Sequence, residues 1–305
     1  MSTADLSHPG ERTLAGCTIV MSGGSRGIGL AIALRAARDG ANVVLLAKTD
    51  QPHPKLDGTV HTAAAQIEAA GGRAAAVVGD VRSEDDVRRA VDVAVQRFGG
   101  VDVVVNNASA LDLRTTREID MKRYDLMQDI NARGTFLLSK TAIGHLERSR
   151  NPHILTLSPP LDLHPRWAGS YLAYTMAKYG MSLVTLGLAE ELAPAGIAVN
   201  SLWPRTTIAT AAVANLLGGA EMVARSRTPQ IVADAAHAIL TRSARSCTGN
   251  FFVDEDVLRA EGITELDGYR AGPPGTPLAE DLFLDPLPAA GQPPAPGVLS
   301  GPGAG

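Results

Sequence analysis

Short apolar runs rich in β-branched residues recur along the chain, each followed by a turn and then by a stretch of helix-forming residues. Thr18–Met21 is the first, and Leu30–Asp39, rich in Ala and Leu, follows it. Asn42–Leu46, Ala74–Val78, Val101–Val105, His153–Leu157, Gly196–Leu202 and Asn250–Val253 repeat the pattern. Such runs, without polar alternation, suit strands buried on both faces. Helical stretches fall between them over Thr62–Ala70, Ser83–Phe98, Lys122–Glu147, Tyr171–Leu192 and Ile231–Arg242, with shorter helical pieces at Ala209–Leu217 and Gly219–Arg225. Ser83 is placed to cap its helix, Glu84-Asp85-Asp86 suit the first turn, and Gly99-Gly100 ends it. Strands and helices in this alternation predict an α/β fold, a doubly wound parallel sheet of seven strands in a single domain.

That domain is expected over 14–270, after an N-terminal extension over 1–13. From 271 to 305 the chain changes to proline, glycine and alanine with almost no charge. Such a composition buries too little apolar surface to order itself, so disorder is expected, with local docking of Leu282-Phe283-Leu284 as the exception. Asp50–Thr59, with two prolines and a glycine, reads as a loop.

The first strand runs straight into Gly23-Gly24-Ser25-Arg26-Gly27-Ile28-Gly29 and then a helix. Glycines there let backbone N–H groups approach a diphosphate, and the helix N-terminus adds partial positive charge. Strand, glycine turn, helix and a second strand at βαβ distance make this a Rossmann-type dinucleotide site. A site for NAD usually places an acid at the end of the second strand; here Ala47 and Lys48 stand there, with Arg26 in the turn, and Asp50 comes too late. The expected cofactor is therefore NADP(H), with Lys48 and Arg26 toward its 2′-phosphate.

Charge and composition narrow the function further. A net charge of −4 leaves no basic footprint for nucleic acid. No apolar run is long enough for a membrane span, and the N-terminus MSTADLSHPGERT is unlike a signal peptide. Cys17 and Cys247 form no metal-type pair, and His53 and His61 have no cluster of ligands around them. The final GPGAG is neither a peroxisomal nor a lipidation signal, so a cytoplasmic, reducing location is expected.

Ser22–Gly29, Asp80-Val81, Asn106-Asn107-Ala108, Asn131, Ser158 and Tyr174-Thr175-Met176-Ala177-Lys178, in that order, resemble the short-chain dehydrogenase/reductase superfamily. The resemblance covers about residues 14–255. Further strings, among them LSPPLDLHP and TGNFFVDE, are similar to a branch whose members carry a C-terminal sterol-carrier domain, for which the sequence here leaves no room. The resemblance implies that Tyr174 exchanges a proton with a carbonyl or alcohol oxygen while hydride moves to or from nicotinamide, and that Lys178 holds the ribose. Four residues apart, the two share a helix face, where an ammonium would bring a phenol's pKa of about 10 toward working pH. It further implies that Ser158 donates to the substrate oxygen, that Asn131 holds a relay water, that Asp80 and Val81 hold the adenine, and that Asn107 and Ala108 line the ribose. Ser109 and Arg205 stand where the superfamily has glycine, and Ser22 where it has threonine.

Apolar surroundings at Leu161, Trp167, Trp203 and Ala209–Leu217 point to a lipophilic ketone, aldehyde or alcohol as substrate. The helix holding Tyr174 is apolar nearly all round through Met181, Leu183, Val184, Leu186 and Leu188, as a buried interface requires, so a homodimer or homotetramer is expected. Two readings compete with an oxidoreductase: a non-catalytic NADP-binding sensor or assembly module, and a lyase or epimerase using the same tyrosine.

Overall fold

The strand runs pair as seven parallel strands in the order β3-β2-β1-β4-β5-β6-β7. They are β1 (Thr18–Ser22), β2 (Asn42–Ala47), β3 (Arg73–Val78), β4 (Val103–Asn106), β5 (His153–Thr156), β6 (Ala198–Trp203) and β7 (Phe251–Val253). The computed structural model describes residues 12–52 and 57–285. Within the expected loop after β2, residues 53–56 lie outside them, His53 included, as do 286–305 of the tail.

Why the sheet is buried on both faces follows from what covers it. On one face α1 (Gly27–Ala37), α2 (Val60–Ala69) and α9 (Gln230–Leu240) pack Ile32, Ile67, Ile231 and Ile239 against Ile19, Met21 and Leu45. On the other, α3 (Glu84–Phe98), α5 (Gly134–Leu146) and α7 (Leu172–Glu191) pack Val87, Leu138 and Leu188 against Val20, Val104 and Ile154. From β1 the chain runs outward to β2 and β3, and from β4 outward the other way. That reversal opens a crevice at the carboxyl ends of β1 and β4, where ligands bind in open α/β sheets. Register aligns those ends: Ser22 pairs with Leu46 and Asn106, Asn106 with Thr156, and Thr156 with Ser201.

Four segments differ from the periodicity. The long helix expected over 122–147 is α4 (Met121–Gln128), a π-helical turn (Asp129–Arg133) and α5. Single π turns of this kind recur at functional sites, and here the turn holds Asn131 fully buried. Pro165 at the first helical position starts the short α6 (Pro165–Ser170) inside an expected loop. Asp254, Glu255 and Asp256 form the first turn of an unforeseen α10 (Asp254–Ala260). Of the expected piece over 209–217, Val213–Leu217 is π-helical, followed by α8 (Gly219–Ala224).

The described part of the tail is also ordered, against the composition. Ala271 N–H donates to Ser226 O at 3.0 Å and Ala279 N–H to Arg225 O at 2.8 Å. Thr207 N–H donates to Ala279 O and Asp281 N–H to Arg205 O, so the segment runs antiparallel to the stretch after β6. Order there comes from main-chain partners on the folded body, which composition does not reveal. Leu282-Phe283-Leu284 dock as expected, and Phe283 is buried.

The stretch after β6 is anchored by a buried ion pair. Arg227 Nε donates to Glu255 Oε1 at 2.8 Å and its Nη1 to Leu266 O at 2.6 Å, while its N–H bonds Thr207 O. Removing one partner of such a pair strands a buried charge. Glu255→Ala is therefore expected to lose about 3–5 kcal/mol, measured as a drop in urea midpoint with unchanged slope.

Candidate active site

Backbone approach sets the geometry at the switch point. Gly23 (φ +73°) and Gly27 (φ +58°) adopt left-handed conformations. A Cβ on Gly23 would lie 2.8 Å from Ala108 Cα, and one on Gly29 would lie 2.5 Å from Asn107 Nδ2. Asn107 Nδ2 donates to Gly23 O at 2.8 Å, and Ser22 Oγ accepts from the N–H groups of Asn107 and Ala108. Serine thus does at position 22 what a threonine hydroxyl would. A crevice of about 510 Å³, lined by Arg26, Gly27, Leu30, Thr210 and Pro229 among others, opens beside the turn. At the glycine turn itself, the space that a Cβ on Gly23 or Gly29 would fill leaves backbone N–H groups open to a nicotinamide dinucleotide, which Gly23–Gly29 with Asn107 and Ala108 could hold.

At the expected adenosine end the charges are already paired. Asp80 takes Arg82 Nε and Nη2 on its carboxylate and lies 3.1 Å from Lys48 Nζ, and the Arg82 bonds above all hold its pKa well below the ordinary range. Arg82 was not singled out by sequence, although Asp80-Val81-Arg82 carries it within two residues. Val81 is buried against Gly134 of α5. Arg26 donates to Asp57 O and Gly58 O, tying the glycine turn to the loop before α2. Asp50 pairs with His61 at 2.7 Å on the surface. Among the described residues no group of three or more His, Cys, Asp or Glu side chains could hold a metal ion.

Tyr174 and Lys178 sit one turn apart on α7, with 6% and 3% of their surface exposed. Lys178 Nζ donates to Leu157 O at 2.8 Å and lies 5.0 Å from the centre of the Trp203 ring. Burial pushes its pKa down to about 7, against the pull of Asp281. Burial also raises Tyr174, with the charge of Asp281 adding to it. Desolvation therefore sets the direction for the phenol, upward, where an adjacent ammonium would lower it.

Asn131 faces the site's outer wall: its Oδ1 accepts from Ala110 N–H at 2.7 Å and its Nδ2 donates to Ala110 O at 3.1 Å. The amide therefore clamps the loop after β4. Ser158 lies at the end of β5. It is fully buried, its hydroxyl lies 2.8 Å from Ser201 Oγ, and Ser201 donates onward to Thr185 Oγ1. These three hydroxyls form a buried chain from the end of β5 through β6 to α7. Arg205, where the superfamily has glycine, is held by α10: its N–H donates to Asp254 Oδ1 at 2.8 Å and its Nη2 to Asp256.

Sequence reasoning missed the carboxylates. Asp254 is fully buried with Oδ2 unpartnered, and burial raises its pKa to about 7. Asp281, delivered by the tail, is raised to about 7 by burial, with Asp254 adding to the shift. Phe283 brings its ring 6.0 Å from Tyr174, and Trp167, Tyr179 and Trp203 surround it. Only folding brings a residue a hundred positions downstream onto the tyrosine, so no local signal marked these.

The short chain dehydrogenase family model matches residues 17–218, and the chain belongs to that family of oxidoreductases. Hydroxysteroid dehydrogenase-like protein 2 of Danio rerio is 57% identical over 272 residues, which take in 89% of this chain and 65% of that protein. The chain thus spans about two-thirds of the length of that relative. A putative dehydrogenase from Xanthomonas campestris superposes with a TM-score of 0.87 at 55% identity, covering 90% of this chain and all of that one. Carveol dehydrogenase from Mycobacterium avium, in complex with NAD, superposes with a TM-score of 0.67 at 25% identity, over 78% of this chain and 96% of its own. Among the described residues no helix is long and apolar enough to cross a membrane.

Two outcomes are expected. Gly29→Ala drives a methyl into Asn107 and Gly23 O, so dinucleotide affinity, read by calorimetry, falls at least tenfold. Asp254 carries a carboxyl raised from 3.8 to about 7. The fold holds that proton between these values while the unfolded chain has lost it, so this group's contribution to stability declines as pH rises through the window. Asp254→Asn removes the decline, and its melting temperature gains on the wild type from pH 4 to 7.

Proposed function

We propose that the chain is an NADP-dependent oxidoreductase for a lipophilic ketone, aldehyde or secondary alcohol, with Tyr174 as general acid and base. The observation that carries this reading is the Tyr174–Lys178 pair, buried together on α7. The bound nicotinamide supplies or accepts the hydride. In reduction, the Tyr174 hydroxyl gives its proton to the substrate oxygen as the carbonyl carbon gains hydride, and the phenolate is reprotonated from solvent; oxidation runs in reverse. Lys178, poised near neutrality, is charged when it bonds a ribose hydroxyl and a phenolate, and both stabilise the ammonium. Asn131 keeps the loop after β4 in place. Ser158, bonded to Ser201 at the end of β5, donates its hydroxyl to the substrate oxygen, with Ser201 behind it in the hydroxyl chain.

For the cofactor, Lys48 and Arg82 converge on Asp80, where β2 ends without an acid of its own. A 2′-phosphate would compete with Asp80 for these cations, as Arg and Lys bind phosphate well. NAD is the rival, since the Mycobacterium avium relative is described with it. Lys48→Ala is expected to weaken NADPH binding about tenfold and leave NADH within twofold; equal losses for both would assign NAD.

The full burial of Ser158, with its hydroxyl on Ser201 Oγ, is the observation that favours a second reading, binding without turnover. Tyr174→Phe decides between them: turnover on a carbonyl panel should fall at least a thousandfold, in line with the loss of a general acid, while NADPH binding is kept. A wild type that binds NADPH tightly and turns over nothing would support the sensor. Exposed Phe136 on α5 and Met176, Leu183 and Leu186 on α7 offer an apolar face for a homodimer or homotetramer. Light scattering showing a monomer would end that reading. Unpaired Cys17 and Cys247 suit a reducing, cytoplasmic location. The functional unit takes in the 14–270 domain and the ordered tail through Asp285.

A further inference from the structure

The aromatic cage over Tyr174 is built around a residue that lies beyond the family's matched region. Phe283 is 2% exposed, and its ring centre lies 5.9 Å from Trp167, 6.0 Å from Tyr174, 5.4 Å from Tyr179 and 6.0 Å from Trp203. Its φ of +70° is the one left-handed backbone among the described non-glycine residues. That conformation is costly for a bulky side chain and persists only where the surroundings over-determine it. The constraints are visible on both sides: Asp281 N–H bonds Arg205 O, Trp203 Nε1 donates to Leu282 O at 2.8 Å, and Arg166 pairs with Asp285. The chain is bent to aim this ring at the tyrosine.

We propose that Phe283 is the specificity-determining wall of the substrate pocket, limiting it to slim apolar carbonyls and excluding fused polycyclic ketones. The inference rests on the reading of Tyr174 as the acid that meets the substrate oxygen. A carbonyl bonded to Tyr174 places its substituents beside the ring packed on that tyrosine. The neighbouring rings cannot make room, because each is fastened. Trp167 Nε1 donates to Asp162 Oδ2 at 2.8 Å, Tyr179 Oη to Asp162 O at 2.5 Å, and Trp203 to Leu282 O. A cage so pinned holds its shape when its central ring is truncated, leaving a cavity that does not collapse. The void of a Phe283→Ala protein would therefore open beside Tyr174 as added substrate space.

The chain has two tryptophans, and both border Phe283. Their emission thus reads ligand entry without any need for turnover. With protein saturated by NADP+, cyclohexanone and a fused four-ring ketone are titrated against wild type, Phe283→Ala and the milder Phe283→Leu. The wild type should bind cyclohexanone in preference. Phe283→Ala should shift the affinity ratio toward the four-ring ketone at least tenfold, with Phe283→Leu between. A folded Phe283→Ala protein with a ratio within twofold of wild type overturns the proposal, as does emission that neither ketone perturbs in any of the three. If the alanine variant does not fold, Phe283→Leu decides alone, by a threefold shift or none. Tyr174→Phe, run alongside, separates the two readings. Turnover retained by that variant with the ratio shift intact defeats the acid assignment and leaves the wall. Turnover lost with no ratio shift defeats the wall and leaves the acid.

Discussion

The backbone of the turn after β1 and that of the loop after β4 come so close that no side chain fits between them. Everything else at the site is referred to that contact. Gly23 and Gly29 permit it, Ser22 and Asn107 bond across it, and the parallel register of β1 with β4 brings the two segments level. Because Asn106 pairs in turn with Thr156, and Thr156 with Ser201, the same alignment carries Ser158 and Lys178's acceptor Leu157 to the same edge of the sheet. The crevice follows from the order of the strands, and the chemistry stands on its rim.

Burial governs the electrostatics of that rim. Tyr174, Lys178 and Asp254 are buried and Asp281 is partly so, and in each case desolvation is the largest influence on the proton. Neutral forms are favoured throughout: the amine and the two carboxyls stand close to a change of charge near neutral pH, while the phenol is held firmly protonated. A bound polar ligand is what would tip them, since it supplies the partners that water no longer provides.

The tail has a structural part as well as a compositional one. Its backbone adds to the stretch after β6 like an extra edge strand, and Arg227 with Glu255 holds that stretch from beneath. The tail, the stretch after β6 and α10 are therefore bonded to one another at this end of the sheet, although they are far apart in sequence and the tail is poor in charge.

Much was legible in one dimension because its causes are local. Seven apolar runs became seven strands, the glycine turn became a cradle, and Tyr174 and Lys178 share a helix face because a helix repeats every 3.6 residues. The π turn at Asn131 was not legible, since the sequence on either side reads as uninterrupted helix. Nor was the contact of Ser158 with Ser201 and, through it, Thr185, which come from β6 and α7. The paired state of Lys48, the protonation of the buried carboxylates and the placing of Phe283 on Tyr174 belong to tertiary structure for the same reason. Each depends on desolvation and on partners a long way off in sequence, and neither exists until the chain has closed around them.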